Sequence, residues 1–241
     1  MPRPPELSAR AVALKPSLTL AIGAQAKALQ RAGRDICSLS AGEPDFDTPD
    51  FIVEATRQAL RDGITRYGPA AGDPELRAAV AEKLSSGNGI ATSPEQVLIT
   101  NGGKQAIYNL FQVLLNPGDE VLLPAPYWLS YPEMAALAGA EVKLIPSQAE
   151  EGFRLDLSEL EARITERTRL LVLNTPSNPT GLVLQREELE AIAALLRRHP
   201  QVAVVCDEIY EHLVENLEGD LATRKQITAH VKRTARALGY D

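Results

Sequence analysis

Residues 174–181 read Asn-Thr-Pro-Ser-Asn-Pro-Thr-Gly, and residues 202–210, beyond a helix-patterned segment, read Val-Ala-Val-Val-Cys-Asp-Glu-Ile-Tyr. Each stretch completes a short apolar run, Leu170–Leu173 in the first case and Val202–Cys206 in the second, bounded by turn-forming or polar residues. Short apolar runs of this length predict buried strands, and a helix between two of them predicts a parallel pair. Asn178, Asp207 and Tyr210 then fall at or just past strand carboxyl ends, where open α/β sheets place ligand chemistry.

The same rhythm extends upstream. Apolar runs at Val97–Thr100, Glu120–Leu123 and Glu141–Ile145 alternate with helical patterns at 103–115, 128–138, 156–163 and 186–198. This alternation predicts the α/β class: a mostly parallel open sheet with helices on both faces. Nearer the N-terminus, Leu18–Arg31 has helical spacing and Gly33 to stop it, Ile36–Leu39 is a strand candidate, and Phe51–Asp62 is a further helix. Asp73-Pro74 supplies an N-cap and a first helical residue. The organisation expected is an N-terminal arm over 1–45, a large domain over 46–214, and a tail over 215–241 with an amphipathic helix from Asp220 to Leu238.

Composition narrows the function. The 241 residues are 44% apolar and 24% charged, with a net charge of −7, which predicts a folded soluble domain and argues against a nucleic-acid partner. No window has the roughly 18 apolar residues of a membrane span. Cys37 and Cys206 lie in apolar runs and are expected to be buried free thiols, which suits a cytoplasmic location, and the N-terminus lacks the apolar core of a secretory signal. His199, His212 and His230 lack metal-ligand spacing, and no serine occupies a nucleophile elbow.

Three further features carry chemistry. Gly102-Gly103 opens a helix in Thr100-Asn-Gly-Gly-Lys-Gln-Ala106, which suits either a tight turn or a phosphate cradle with Lys104 adding charge. Trp128, the only tryptophan, follows a strand in Pro124-Ala-Pro-Tyr-Trp-Leu-Ser-Tyr-Pro132, and suits either the core or stacking on a planar ring. Asp207 at the end of an apolar strand calls for a partner that rewards its charge, such as a protonated pyridine nitrogen, or else is a helix cap, with Tyr210 a packing residue. Tyr210 and Asn178 could both approach an oxygen on such a ring. Together these describe a site for pyridoxal phosphate, whose pyridinium ring absorbs electrons released at a substrate's α-carbon.

Six motifs, in order, resemble the large domain of class I, fold-type I aminotransferases, especially bacterial-type aspartate and prephenate aminotransferases. They are Ser38–Pro49, Arg66–Arg77, Thr100–Ala106, Pro124–Trp128, Asn174–Gly181 and Asp207–His212. The resemblance implies a homodimer acting on amino acids and 2-oxo acids in amino-acid metabolism. It implies that Gly42 presents its backbone to the substrate α-carboxylate and that Tyr67 reaches the phosphate of the neighbouring subunit's cofactor. Amides near Gly103 and Lys104 would hold the chain's own phosphate, and Trp128 would stack on the ring. Asn178 and Tyr210 would contact the ring oxygen, with Asn178 also touching substrate, Asp207 would pair with the pyridine nitrogen, and Lys104 would help recognise a distal carboxylate.

The family continues with a Ser-x-x-Lys motif whose lysine forms the Schiff base with the cofactor, and no such motif occurs here. Lys225 and Lys232 stand in a helical pattern without that context. The expectation is a truncated large domain that is inactive, or nearly so, as this chain, because the lysine is also the general base of the proton shift. The alternatives are a non-catalytic cofactor-binding or dimer-partner protein, or an unstable fragment.

Overall fold

Four apolar runs pair side by side in one parallel sheet: β1 (Glu120–Pro124), β2 (Glu141–Ile145), β3 (Thr168–Asn174) and β4 (Ala203–Asp207), in the order β2-β1-β3-β4. This is a computed structural model, which describes residues 6–14, 18–38 and 47–213. The chain passes from β1 outward to β2, then returns to lay β3 on the other side of β1. The crevice between the carboxyl ends of β1 and β3 is therefore a topological switch point, the usual ligand position in such sheets.

Among the described residues there are eight α-helices: α1 (Ala9–Ala13), α2 (Leu18–Arg31), α3 (Asp50–Arg61), α4 (Pro74–Glu82), α5 (Gly102–Leu114), α6 (Ser130–Leu137), α7 (Leu157–Ala162) and α8 (Arg186–Leu196). Their ends follow local chemistry. The Asp73 carboxylate accepts from the Glu75 and Leu76 amides at 2.9 and 3.0 Å to start α4, and Asp156 does the same for α7. The chain divides into two compact units, residues 15–70 and the remainder, and the sheet lies in the latter.

The period-two alternation of the strands sorts the core into two layers. Val121, Leu123, Leu170 and Val172 pack with Ile107 and Phe111 of α5 and Tyr131 and Met134 of α6. Leu122, Leu171 and Leu173 point the other way, onto Leu160 of α7 and Leu189, Ile192 and Leu196 of α8. Both faces are covered, which explains why Val121–Leu123 of β1 and Leu170–Leu173 of β3 are continuously apolar rather than alternating.

Several expectations change. Val97–Thr100 is not a strand: the Val97 carbonyl accepts from Arg77 Nε at 2.9 Å and the Ile99 amide donates to the Ala71 carbonyl at 3.0 Å, so a side chain and a loop satisfy the backbone. Residues 36–38 are also irregular, the Ile36 carbonyl being taken by Gln30 Nε2 at 2.9 Å. Cys37 and Cys206 are free as expected but exposed rather than buried. Gly42, the tail 215–241 and its Lys225 and Lys232 lie outside the described residues.

Candidate active site

Parallel register sets the site's first pair. Asn174 ends β3 opposite Asp207, which ends β4. Asn174 Nδ2 donates to the Asp207 carbonyl at 3.0 Å, and its Oδ1 accepts from the Asn178 amide at 2.6 Å, so one side chain ties the β3 loop to the β4 terminus. That loop brings Asn178 to Tyr210, where Asn178 Nδ2 donates to the tyrosine hydroxyl at 3.3 Å. With that oxygen already accepting, the Tyr210 O–H is free to donate to a ligand, and Asn178 retains a second N–H for the same purpose.

The Asp207 carboxylate is held on both oxygens. Tyr131 donates its hydroxyl to Oδ2 at 2.7 Å, and the Ile209 amide donates to Oδ1 at 3.3 Å. Asp207 therefore caps the turn after β4, which is not the start of a helix, and Oδ2 faces the Tyr131 hydroxyl. Tyr131 is 1% exposed, and burial first, then the Asp207 hydrogen bond and charge, push its hydroxyl well above the usual phenol range. It is fixed as a donor, which keeps a proton pointed at Asp207.

Trp128 lies one turn before Tyr131. The two rings meet edge to face, with centroids 5.2 Å apart and planes at 85°. Lys104 from α5 sets its ammonium 4.9 Å from the indole centroid. At the N-terminus of α5, Asn101 makes no side-chain capping bond, and Gly102 adopts φ of +78°. A Cβ added at Gly102 or Gly103 would meet nothing within 4 Å, so the start of the helix is open, although the Gly102 amide itself donates to the Thr100 carbonyl at 2.9 Å. A cleft at the ends of β1 and β3 is lined by Pro124, Tyr127, Tyr131, Asn174 and Asn178.

A family model described as "Aminotransferase class I and II" matches residues 34–237. The chain belongs to the class I and II aminotransferase family. It is 52% identical over 208 residues to the bifunctional aspartate aminotransferase and glutamate/aspartate-prephenate aminotransferase of Petunia hybrida, covering 86% of this chain and 43% of that one. It is also 52% identical to the aspartate/prephenate aminotransferase of Thermus thermophilus, covering 86% and 54% respectively. The solved structure of aspartate aminotransferase from Thermus thermophilus with maleate superposes with a TM-score of 0.85 at 50% identity, over 92% of this chain and 58% of that one. The chain thus spans about half the length of these relatives.

Aminotransferases of this family are pyridoxal-phosphate dependent, and the donor set here fits that group. A doubly held carboxylate suits a protonated ring nitrogen, a hydroxyl with a free proton suits a ring oxygen, and the open helix start at Gly103 and Lys104 suits a phosphate. One structural unit brings together Gly103, Lys104, Trp128, Asn178, Asp207 and Tyr210. Tyr67 belongs to the other unit, with its side chain fully exposed. Of the lysines at or near these elements, Lys83 is paired with Glu211 and Lys143 with Glu120 and Glu141, and Lys104 alone has its ammonium on the site's aromatic wall. Tyr131 and Asn174 are site residues that the sequence reading did not single out, although both stand within motifs it quoted. Among the described residues, no group of three or more His, Cys, Asp or Glu is placed to hold a metal ion.

Proposed function

We propose that this chain carries the cofactor-holding part of a transaminase site for amino acids and 2-oxo acids, with four-carbon dicarboxylic substrates such as aspartate its best fit. The observation that carries this reading is the Tyr131–Asp207 pair set beside the Asn178–Tyr210 pair at the ends of β3 and β4. The maleate named for the Thermus thermophilus relative, itself a four-carbon dicarboxylate, supports the substrate class.

The residues divide the work. Asp207 holds a proton on the ring nitrogen, Tyr210 and Asn178 donate to the ring oxygen, and Trp128 walls one face of the ring. The amides of Gly103 and Lys104 receive the phosphate, and the Lys104 ammonium is available to a distal substrate carboxylate. When bound, the cofactor supplies an electron sink for the substrate α-carbon. Gly42 is assigned to the substrate α-carboxylate and Tyr67 to the phosphate of a second subunit, within a cytoplasmic homodimer. Because the sequence has no Ser-x-x-Lys motif, the 241-residue polypeptide assayed alone binds the cofactor but turns over little.

The test combines a pyridoxal phosphate titration, read by Trp128 fluorescence, with an assay of aspartate plus 2-oxoglutarate. Saturable quenching with background turnover is expected. Absence of binding defeats the reading as a whole, whereas clear turnover, or a lysine adduct trapped by borohydride, defeats the inactivity. A second reading, a non-catalytic dimer partner, is favoured by the full exposure of Tyr67. Light scattering alone and with a full-length aminotransferase decides it, and a strict monomer in both would eliminate it.

A further inference from the structure

The turn that carries Tyr210 is fastened by residues that do not line the cleft. The Glu211 amide donates to the Glu208 carbonyl and the Leu213 amide to the Tyr210 carbonyl, both at 2.9 Å, which folds 208–213 into two successive turns. Glu211 then clamps this unit to the π-helical turn Lys83–Asn88 that follows α4. Lys83 Nζ meets its Oε2 at 2.5 Å, and the Asn88 side-chain amide donates to its Oε1. Two acceptors in this cluster, Asn88 Oδ1 and Glu208 Oε1, are buried without a donor among the described residues, and Asn88 itself is 2% exposed.

A buried carboxylate oxygen without a donor, beside a second carboxylate, is costly as an anion and tolerable as a neutral acid. We propose that Glu208 is a positioning residue that holds a proton, and that releasing this proton loosens the turn bearing Tyr210 and weakens the grip on the cofactor's ring oxygen. Burial first, and then the charge of Glu211, push the Glu208 carboxyl up to about 7, with Asp207 adding to the effect and Lys83 opposing it. Two other titratable groups adjoin. His212 Nε2 stands 3.8 Å from Glu211 Oε2. Cys206 has exposed surface, yet its thiol is crowded enough that desolvation, then Glu208 and Asp207, push it up to about 12, so it stays neutral.

The sign follows from proton linkage. The folded chain binds the Glu208 proton more tightly than the unfolded chain, so this contribution to stability is complete below the ordinary carboxyl range, about pH 4.3, and is lost as pH rises through about 7. Glu208→Gln imitates the neutral form at every pH.

The ligand arm of the test rests on the reading given under Proposed function, and the melting arm does not. Without ligand, Glu208→Gln is expected to melt progressively higher than the unsubstituted chain from about pH 5 to about pH 8. Glu211→Gln removes a like charge and frees Lys83, so it moves the midpoint of the stability loss to lower pH, which a purely structural role would not do. With pyridoxal phosphate as the probe and Trp128 emission as the readout, the unsubstituted chain loses several-fold more affinity over that range than Glu208→Gln. Parallel melting profiles overturn the held proton, and parallel affinity profiles overturn its link to the site. Failure of both proteins to bind at any pH defeats the functional reading and this link together, while the melting profiles still decide the proton.

Discussion

At the scale of single residues, the site rests on Tyr131 more than on any side chain picked out from the sequence. Its hydroxyl is the 2.7 Å donor to Asp207, and its ring is the edge against which Trp128 stands. Tyr131→Phe keeps the packing and removes one hydrogen bond to a charged acceptor, an expected loss of about 1.5–3 kcal/mol in folding stability. A urea midpoint unchanged from that of the unsubstituted chain would contradict it. The same variant is expected to weaken pyridoxal phosphate binding, because Asp207 loses the donor that orients it. Asp207, Tyr210, Asn178 and Trp128 stand out in the sequence as candidates because each ends or follows an apolar run beside a turn-rich motif. The Tyr131 contact was not legible, since it joins residues 76 positions apart and depends on the strand order that sets the end of β4. The cysteines misled as well: Cys37 lies in an irregular segment rather than a strand, and for Cys206 an apolar run shows that a strand is buried, but not that each of its side chains is.

At the scale of elements, the opposite ends of the strands carry a separate network. Glu120 begins β1, is 1% exposed, and accepts from Thr165 and Arg167 at 2.6 Å and from Thr168 at 3.2 Å, with Lys143 at 3.6 Å. Burial alone would raise its carboxyl, but these hydroxyls and cations together bring it below the usual carboxylate range. A depressed folded pKa stabilises the protein above the unfolded value of about 4.3, and the benefit is lost as pH falls through the lower folded value. Glu120→Gln is therefore expected to reduce the melting temperature at neutral pH and to flatten its decline in acid. It should leave pyridoxal phosphate affinity unchanged, since the site lies at the other end of the sheet. Equal acid sensitivity of the two proteins would refute this account. Asp73→Ala removes the α4 cap and should cost about 1 kcal/mol, again by urea midpoint. Helices and caps were read within a few residues because their signals are local. Val97–Thr100 failed as a strand because its apolar pattern is matched by a loop and Arg77 rather than by a neighbouring strand.

At the scale of the whole molecule, β1 and β3 are sandwiched between two helical layers, so the core has little slack. Leu122, fully buried between β1's neighbours and the α7–α8 layer, is expected to cost about 2–5 kcal/mol when changed to Ala, measured by calorimetry; a smaller loss would mean that the layers relax into the gap. The α/β class and the parallel sheet were legible from alternation alone, whereas the strand order β2-β1-β3-β4 was not, because apolar runs do not state their neighbours. That order has a consequence for biosynthesis. Tyr131 leaves the ribosome 76 residues before Asp207, a wait of roughly 4–15 s at about 5–20 residues per second. During that interval β1, β2 and β3 can assemble, but the edge of β3 that β4 will occupy is unpaired. The nascent chain exposes that edge until β4 pairs with β3, and the Tyr131–Asp207 contact comes into being in that same step.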